Sequence, residues 1–519
     1  MDTATKILWV DDEIDLLKPH ILFLQGKGIE VHTVNNGSDA LSILENNNFA
    51  VVFLDEQMPG LSGLETLAKI KELQPSLPVV MVTKSEEEQI MDEAIGSKIS
   101  DYLIKPVSPN QLFLAIKKQV EIIRLVEEKA SVDYQKEFRQ IGTLLSSSLS
   151  YREWESVYKK LVKWDLELSA NSDENLKQIL ENQFSEANSL FSRYIEKNYV
   201  NFVQQSRKNA EFEMSHTVLQ KKVFPLLNKD KIPTFLILID NLRLDQWRVL
   251  QPFFSKLFPN IKEESFMGIL PSVTQYARNS MFAGLLPSEI QEQFPQYWVD
   301  EDEDEHKNQY EKELLEQNLS RSGHNIEITF NKVLNQSYGI KIADYIPKML
   351  RTPLNVIIYG FVDMLSHAST EIELLREMSK NDSAYRSLIV SWFEYSPLYE
   401  ILKKLSEKKI RVILTTDHGS IRVANPIRIR GDRETSFNLR YKSGRHLEYD
   451  AKDVFTIKNP ADAFLPKSNL TSSYIFCRNH DYLVYPNNYS QYVQYYKNTI
   501  QHGGISLEEL LIPVITMEN

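Results

Sequence analysis

The sequence predicts an α/β protein built as two α/β parts with a helical stretch between them. Short apolar runs (KILWV, VVFLD, PVVMVT, DYLIK) alternate with helical patterns from residue 6 to about 120, the rhythm of a doubly wound parallel sheet. Apolar runs of the same kind (FLILID, NVIIYG, RVILTTD, ELLIPVI) return from Pro225 onward, separated by long helical or irregular segments. Between them, Asn110 to Lys222 holds no proline and a single glycine, Gly142.

These patterns set three domains. Residues 1–122 form the first. Residues 123–222 form a helical connector, with apolar residues at helical spacing (Leu176, Ile179, Leu180; Phe191, Tyr194, Ile195). Its first helix continues the last helix of the first domain (QLFLAIKKQVEIIRLVEEKA), which would couple the two ends mechanically. Residues 223–519 form a second, larger α/β domain. The run Asp300 to Glu305 reads as a solvated surface insertion, and no internal repeat is visible.

Composition narrows the chemistry. The chain has 519 residues, 42% hydrophobic and 25% charged, which is ordinary globular material. A formal charge of −12 argues against binding nucleic acid through a generally basic surface, so an anionic substrate must be held locally. The single cysteine, Cys477, excludes internal disulfides and multi-cysteine zinc sites, leaving His and carboxylates as metal ligands. The start, MDTATKILWVDDE, carries no signal-peptide pattern, and no apolar run is long enough for a bilayer. The expectation is a cytoplasmic protein without membrane insertion.

In the first domain, Asp11 and Asp12 end one strand, Asp55 a later one and Thr83 the next, and Lys105 precedes Pro106 after the last. Strand C-termini are where open α/β sheets gather their sites. Three carboxylates there suit Mg2+, and Thr83 and Lys105 can donate to phosphoryl oxygens. The motifs VDDE, LDEQMPGLSG, VT and IKP, in that order, resemble those of response-regulator receiver domains. The resemblance implies Mg2+ on Asp11, Asp12 and Asp55, phosphorylation of Asp55, and a switch made by Thr83, Tyr102 and Lys105. Lys84 departs from the small residue common after the Thr.

In the second domain, Asp240 follows FLILI, and Asp417 with His418 follows VILTT. Asp363 and His367 lie at i and i+4, on one helical face; alone, such a pair is more often structural. His502 opens HGGISLEELLIPVI. Three histidines and three aspartates are the inventory for two metal ions bound by N and O ligands. In LPSVTQYARNSMFAG, Thr274 stands at a helix start where a phosphate could sit, although Ser272 or Thr274 could equally cap that helix.

With those pieces in order, residues 225–519 resemble the alkaline phosphatase superfamily, specifically its PglZ branch. The whole arrangement is similar to the PorX-like response regulators associated with type IX secretion. The fold class is then an N-terminal doubly wound receiver domain, a helical connector and a C-terminal alkaline-phosphatase-like α/β domain. The resemblance implies two Zn2+: Asp363, His367 and His502 on one, and Asp240, Asp417, His418 and the Thr274 oxygen on the other. Thr274 is the implied nucleophile, with Ser272 as alternative, and Arg278 and Asn279 are candidates for touching the phosphoryl group. A sulfatase is disfavoured because no cysteine occurs near the nucleophile segment.

The expected function is a phosphorylation-controlled zinc phosphodiesterase. Thr274 attacks phosphorus, the two metals assist the attacking and leaving oxygens, and water releases the product. The substrate class is a nucleotide or oligonucleotide phosphodiester. The implied partners are a sensor histidine kinase, a sigma factor or secretion-system protein, and a second copy of the chain on phosphorylation, through a face within about Glu86 to Val120. The alternative is a signalling adaptor with structural zinc that binds protein partners. The basic stretch from Arg422 to Arg445 is either a clamp for a polyanion or a solvated loop.

Overall fold

The computed structural model describes residues 5–45, 47–74, 77–84, 99–169, 174–208, 212–227, 232–299, 307–431, 438–467 and 471–518, side chains of 121–131 excepted. The acidic run 300–305, Arg433 and part of the expected pairing face (86–98) lie outside the described residues. The chain divides into two compact units, one up to Lys136 and one from Glu137 on.

The first unit has the receiver fold. Strands β1 (Thr5–Val10), β2 (Ile29–Val34), β3 (Val51–Asp55), β4 (Val79–Thr83) and β5 (Asp101–Ile104) form one sheet in the order β2-β1-β3-β4-β5. All four pairings are parallel. The strands read as continuous apolar runs because helices cover both faces. In β1, Leu8 and Val10 pack with Leu54, Leu67 and Ile70 on one face, while Ile7 and Trp9 pack with Phe53, Leu112 and Ile116 on the other. Helices α1 (Lys18–Gln25), α2 (Gly37–Leu44) and α3 (Gly63–Leu73) follow β1, β2 and β3. A capping box of Ser62 and Glu65 opens α3. Helix α4 runs unbroken from Pro109 to Leu145, so the expected continuity into the connector is present along the backbone.

In the second unit, helices α5 (Tyr151–Ser169) and α6 (Glu174–Gln205) precede a sheet of β6 (Thr234–Ile239), β7 (Asn260–Met267), β8 (Ile328–Val333), β9 (Leu354–Tyr359), β10 (Arg411–Thr415) and β11 (Leu511–Glu518). The order is β7-β11-β10-β6-β9-β8. The block β10, β6, β9, β8 is parallel, and β11 runs antiparallel to both of its neighbours. Every residue of β6, β9 and β10 is buried. Helices α7 (Leu244–Ser255), α8 (Thr274–Ala283), α9 (Phe361–Glu371) and α10 (Asp382–Glu394) surround it. The parallel block aims its strand C-termini at one edge, where Asp240 follows β6, α9 follows β9, and Asp417 follows β10. No helix among the described residues is long and apolar enough to cross a membrane.

Candidate functional site

In the first unit, Asp11, Asp12 and Asp55 each bring a carboxylate oxygen within 4.8 Å of the others. Asp11 and Asp55 are buried and Asp12 is exposed, which leaves an open side to the group. The Lys105 ammonium lies 3.0 Å from Asp11 Oδ2 and 3.0 Å from Asp55 Oδ2. Burial pushes the Asp55 carboxyl above its usual range, against the pull of Lys105. Burial also works against the Lys105 charge, yet its bonds to Asp11 and Asp55 keep that ammonium above its ordinary value. The Thr83 hydroxyl donates to Glu56. Tyr102 on β5 is 39% exposed, and Lys84 pairs with Glu13 at 3.6 Å.

In the second unit, two triads face each other. Asp240, Asp417 and His418, all buried, form one, and Asp363, His367 and His502 form the other. The ligand atoms within each triad lie within 4.8 Å of one another. The triads meet where the His418 and His502 rings stack at 4.4 Å. His502 Nε2 is 3.6 Å from Asp363 Oδ1, and His367 Nε2 is 3.5 Å from Asp363 Oδ2.

Backbone geometry places these loops. Asn241, directly after Asp240, takes φ 64°, a left-handed value that Asn tolerates. A Cβ on Gly419 would stand 1.9 Å from the Glu508 carbonyl oxygen, so only glycine lets the loop after His418 approach the 505–509 turn. His418 Nδ1 donates to the Gly419 carbonyl at 3.1 Å, which turns the Nε2 lone pair toward the triad. That lone pair accepts from the Thr274 hydroxyl at 3.1 Å.

The electrostatics are those of a site short of positive charge. Burial, reinforced by neighbouring Asp417 and Asp363, lifts the Asp240 carboxyl well above its usual range, and burial raises Asp417 as well. Asp240 Oδ1 and Asp417 Oδ2 are buried without a hydrogen-bond partner. Burial and the nearby His418 push the His502 imidazole down to about 3, so it stays neutral as a metal ligand must. Asp363 lies below the carboxylate range despite burial, chiefly because His367 donates to it; the same bond raises His367.

The segment holding Ser272 and Thr274 runs into α8. Its N-cap is Val273, so neither Ser272 nor Thr274 caps the helix through its side chain. The Ser272 hydroxyl is fully buried, donates to Gly504 O at 3.0 Å and accepts from Gly503 N at 3.1 Å. Arg278 reaches back to Asp240 at 2.8 Å, Glu311 at 2.7 Å and Asp417 at 3.8 Å. Asn279 turns to the 307–308 loop, donating to Lys307 O at 3.1 Å and accepting from Asn308 Nδ2 at 3.1 Å.

A profile described as "BREX system PglZ alkaline phosphatase-like domain" matches residues 218–517. The chain belongs to the PglZ family. Ahead of the PglZ domain, a profile for the PorX response regulator linker domain matches residues 124–203, and one for the response regulator receiver domain matches residues 7–117. Receiver, linker and PglZ domain in this order are those of a PorX-like response regulator. Among curated proteins, the alginate biosynthesis transcriptional regulatory protein AlgB of Pseudomonas putida is 36% identical over 124 residues, covering 24% of this chain and 28% of that protein. The transcriptional regulatory protein SrrA of Staphylococcus aureus is 32% identical over 114 residues, covering 22% of this chain and 47% of that one. The chain thus matches less than half the length of either relative. A receiver domain structure from Clostridium thermocellum is 32% identical over 23% of this chain and 98% of its own, with a TM-score of 0.22.

Several residues around the PglZ site escaped sequence reasoning. Glu311 is fully buried and joins Arg278 to Lys332, whose ammonium is 2.8 Å away. Asn241 donates to Asp363 Oδ1 at 3.2 Å. In the basic stretch, Arg440 is fully buried and pairs with Glu509 at 2.6 Å, and Arg422 pairs with Asp382 at 3.3 Å. Arg428 lies over the Tyr489 ring at 4.3 Å. These three arginines have local partners, which weakens the clamp reading for them.

Proposed function

We propose that the chain is a response regulator whose PglZ domain is a zinc-dependent phosphodiesterase controlled by phosphorylation of Asp55. The observation that carries the reading is the pair of His and Asp triads, joined at the His418–His502 stack, with the Thr274 hydroxyl 3.1 Å from His418. The N and O donors and the unpartnered oxygens of Asp240 and Asp417 fit divalent cations. Asp363, His367 and His502 would hold one Zn2+, and Asp240, Asp417 and His418, with the Thr274 oxygen, the other. When bound, the metals supply Lewis-acid charge at the attacking and leaving oxygens.

The chain's own residues do the rest. Thr274 opens α8, whose N-terminal end favours an anion, and its hydroxyl lies within hydrogen-bond reach of His418 Nε2, which places the Thr274 oxygen beside the Asp240, Asp417 and His418 triad. Arg278 and Asn279 are our candidates for the phosphoryl oxygens. Arg278 is held by Asp240 and Asp417, the carboxylates a metal would take over, so loading the site would release it toward substrate. Preference for diesters over monoesters, and a nucleotide or oligonucleotide substrate, rest on the superfamily's Thr-nucleophile members. In the receiver, Asp11, Asp12 and Asp55 fit Mg2+, with Thr83, Tyr102 and Lys105 reading the phosphoryl group. A sensor histidine kinase would supply the phosphoryl group, and type IX secretion is the process we assign, with a sigma factor or secretion-system protein downstream.

The experiment is metal analysis of the purified chain with hydrolysis of a chromogenic phosphodiester and its monoester analogue. Two Zn2+ per chain and faster diester cleavage are expected. Zinc that stays stoichiometric after His367→Ala and His418→Ala together would sink the assignment.

A second expectation concerns control. A phosphoryl mimic with Mg2+ should double the mass seen by light scattering, and Asp55→Ala should abolish the shift. An unchanged mass, or an equal shift in Asp55→Ala, refutes it.

A further inference from the structure

Helix α6 places three buried polar side chains against the two segments that build the metal site. Asn188 and Ser192 are fully buried and Tyr199 is 1% exposed. Spaced four and seven residues apart, they share one helical face. Asn188 Oδ1 accepts from Leu507 N at 2.7 Å, and its Nδ2 donates to the Glu508 carboxylate at 3.0 Å. The Ser192 hydroxyl shares its one proton between Asn188 O of its own helix at 2.8 Å and Ile505 O at 3.3 Å. All three contacts outside the helix land on the turn directly after His502, and the Glu508 carbonyl of that turn abuts Gly419, next to His418. Further along the same face, the Tyr199 hydroxyl accepts from Leu270 N at 2.6 Å, just ahead of Thr274. Ser272 ties the two segments together through Gly503 and Gly504.

We propose that Asn188, Ser192 and Tyr199 are positioning residues of the hydrolase site: Tyr199 sets where Thr274 stands, and Asn188 with Ser192 sets where His502 stands. This rests on the phosphodiesterase reading for its effect on turnover. Its physical basis does not, since one rigid helix fixes both segments whether or not the reaction runs. Groups bonded directly to a metal ligand typically cost about 10–100-fold in metal affinity or activity when lost; these three side chains act one step further out, through the segments that carry His502 and Thr274, so the low end of that range is expected. Misplacement of a reacting group by about 1 Å is enough for losses of that size.

The test uses full-length Tyr199→Phe and Asn188→Ala beside wild type. Tyr199→Phe should lower kcat on a chromogenic diester about tenfold or more, with KM and zinc content unchanged. Asn188→Ala should release zinc to a chelator about tenfold more readily. It should also speed amide hydrogen exchange across residues 502–509 in metal-free protein. Ser192→Ala, a milder change, should move the exchange and chelator readouts the same way, and serves if Asn188→Ala does not fold. Lower melting temperatures with wild-type kcat, zinc retention and exchange would reduce these contacts to packing and overturn the proposal. If wild type cleaves no diester, the phosphodiesterase reading fails, while the exchange and chelator measurements still decide for or against positioning.

Discussion

On the proposed zinc phosphodiesterase reading, Thr274→Ala is expected to leave the protein folded and zinc-bound while kcat for a phosphodiester falls by at least about a thousandfold, because the attacking oxygen would be gone. The structural cost is small. Thr274 is the first residue of α8, and the N-cap is Val273, so no cap is lost. The contact removed is one hydrogen bond to His418, worth about 1 kcal/mol. His and Asp ligands remain on both triads, so metal analysis of the variant should match wild type. Thr274→Ser should recover part of the rate. Activity near wild type in Thr274→Ala would move the nucleophile elsewhere. Ser272 would then be next, although its hydroxyl would first have to leave the backbone of Gly503 and Gly504.

The largest effect on stability is expected from Arg440→Met. Arg440 and Glu509 are both fully buried and doubly bonded, through Nε at 3.2 Å and Nη2 at 2.6 Å. Removing one member of such a pair strands the other charge, which typically costs about 3–5 kcal/mol. Glu509 also accepts from Gly504 N at 2.9 Å and from Ser506 Oγ at 2.9 Å, so its distress would spread to the turn after His502. Urea unfolding should show a lower midpoint for Arg440→Met. Arg440→Met combined with Glu509→Gln should lose less than the single variant, since the stranded charge is gone. A midpoint unchanged from wild type would mean that Arg440 is dispensable to the fold, and would reopen a substrate role for it.

The grouping of the carboxylates and histidines was legible for a mechanical reason. An apolar run marks a buried strand, the acid after it sits at the strand's end, and parallel topology brings those ends together. That logic reached Asp11, Asp55, Asp240 and Asp417. The i, i+4 spacing reached Asp363 and His367. His502 stood out only by the paired glycines after it, and the resemblance alone assigned it to a triad, since its loop follows the short strand Ile500–Gln501, which pairs outside the main sheet. The sequence left Ser272 and Thr274 as alternatives because both sit at the start of a helix, and only the orientation of each hydroxyl separates them. Arg440 reads like Arg430 in the chain, yet one is fully buried and the other is an exposed partner of Glu448 at 3.7 Å. Nothing local distinguishes them, because Glu509 is far along the chain. The same holds for Asn188, whose partners appear only once α6 has docked on the sheet domain, and for Glu311, whose burial depends on Arg278 and Lys332 arriving from other elements.

Strand β11 lies inside the PglZ sheet, between β7 and β10, although it comes last in sequence among the described strands of that sheet. On the ribosome, the β10 edge and the whole inner side of β7 therefore wait unpaired until residues 511–518 emerge. The turn that seats His502 against α6 belongs to the same late segment. A nascent chain would hold buried-type strands open for the time of synthesis, a state prone to pairing with other chains and costly in loop closure. Chaperone dependence of yield, and insolubility of chains stopped before residue 511, should follow from where this strand is inserted rather than from any weakness of the finished domain.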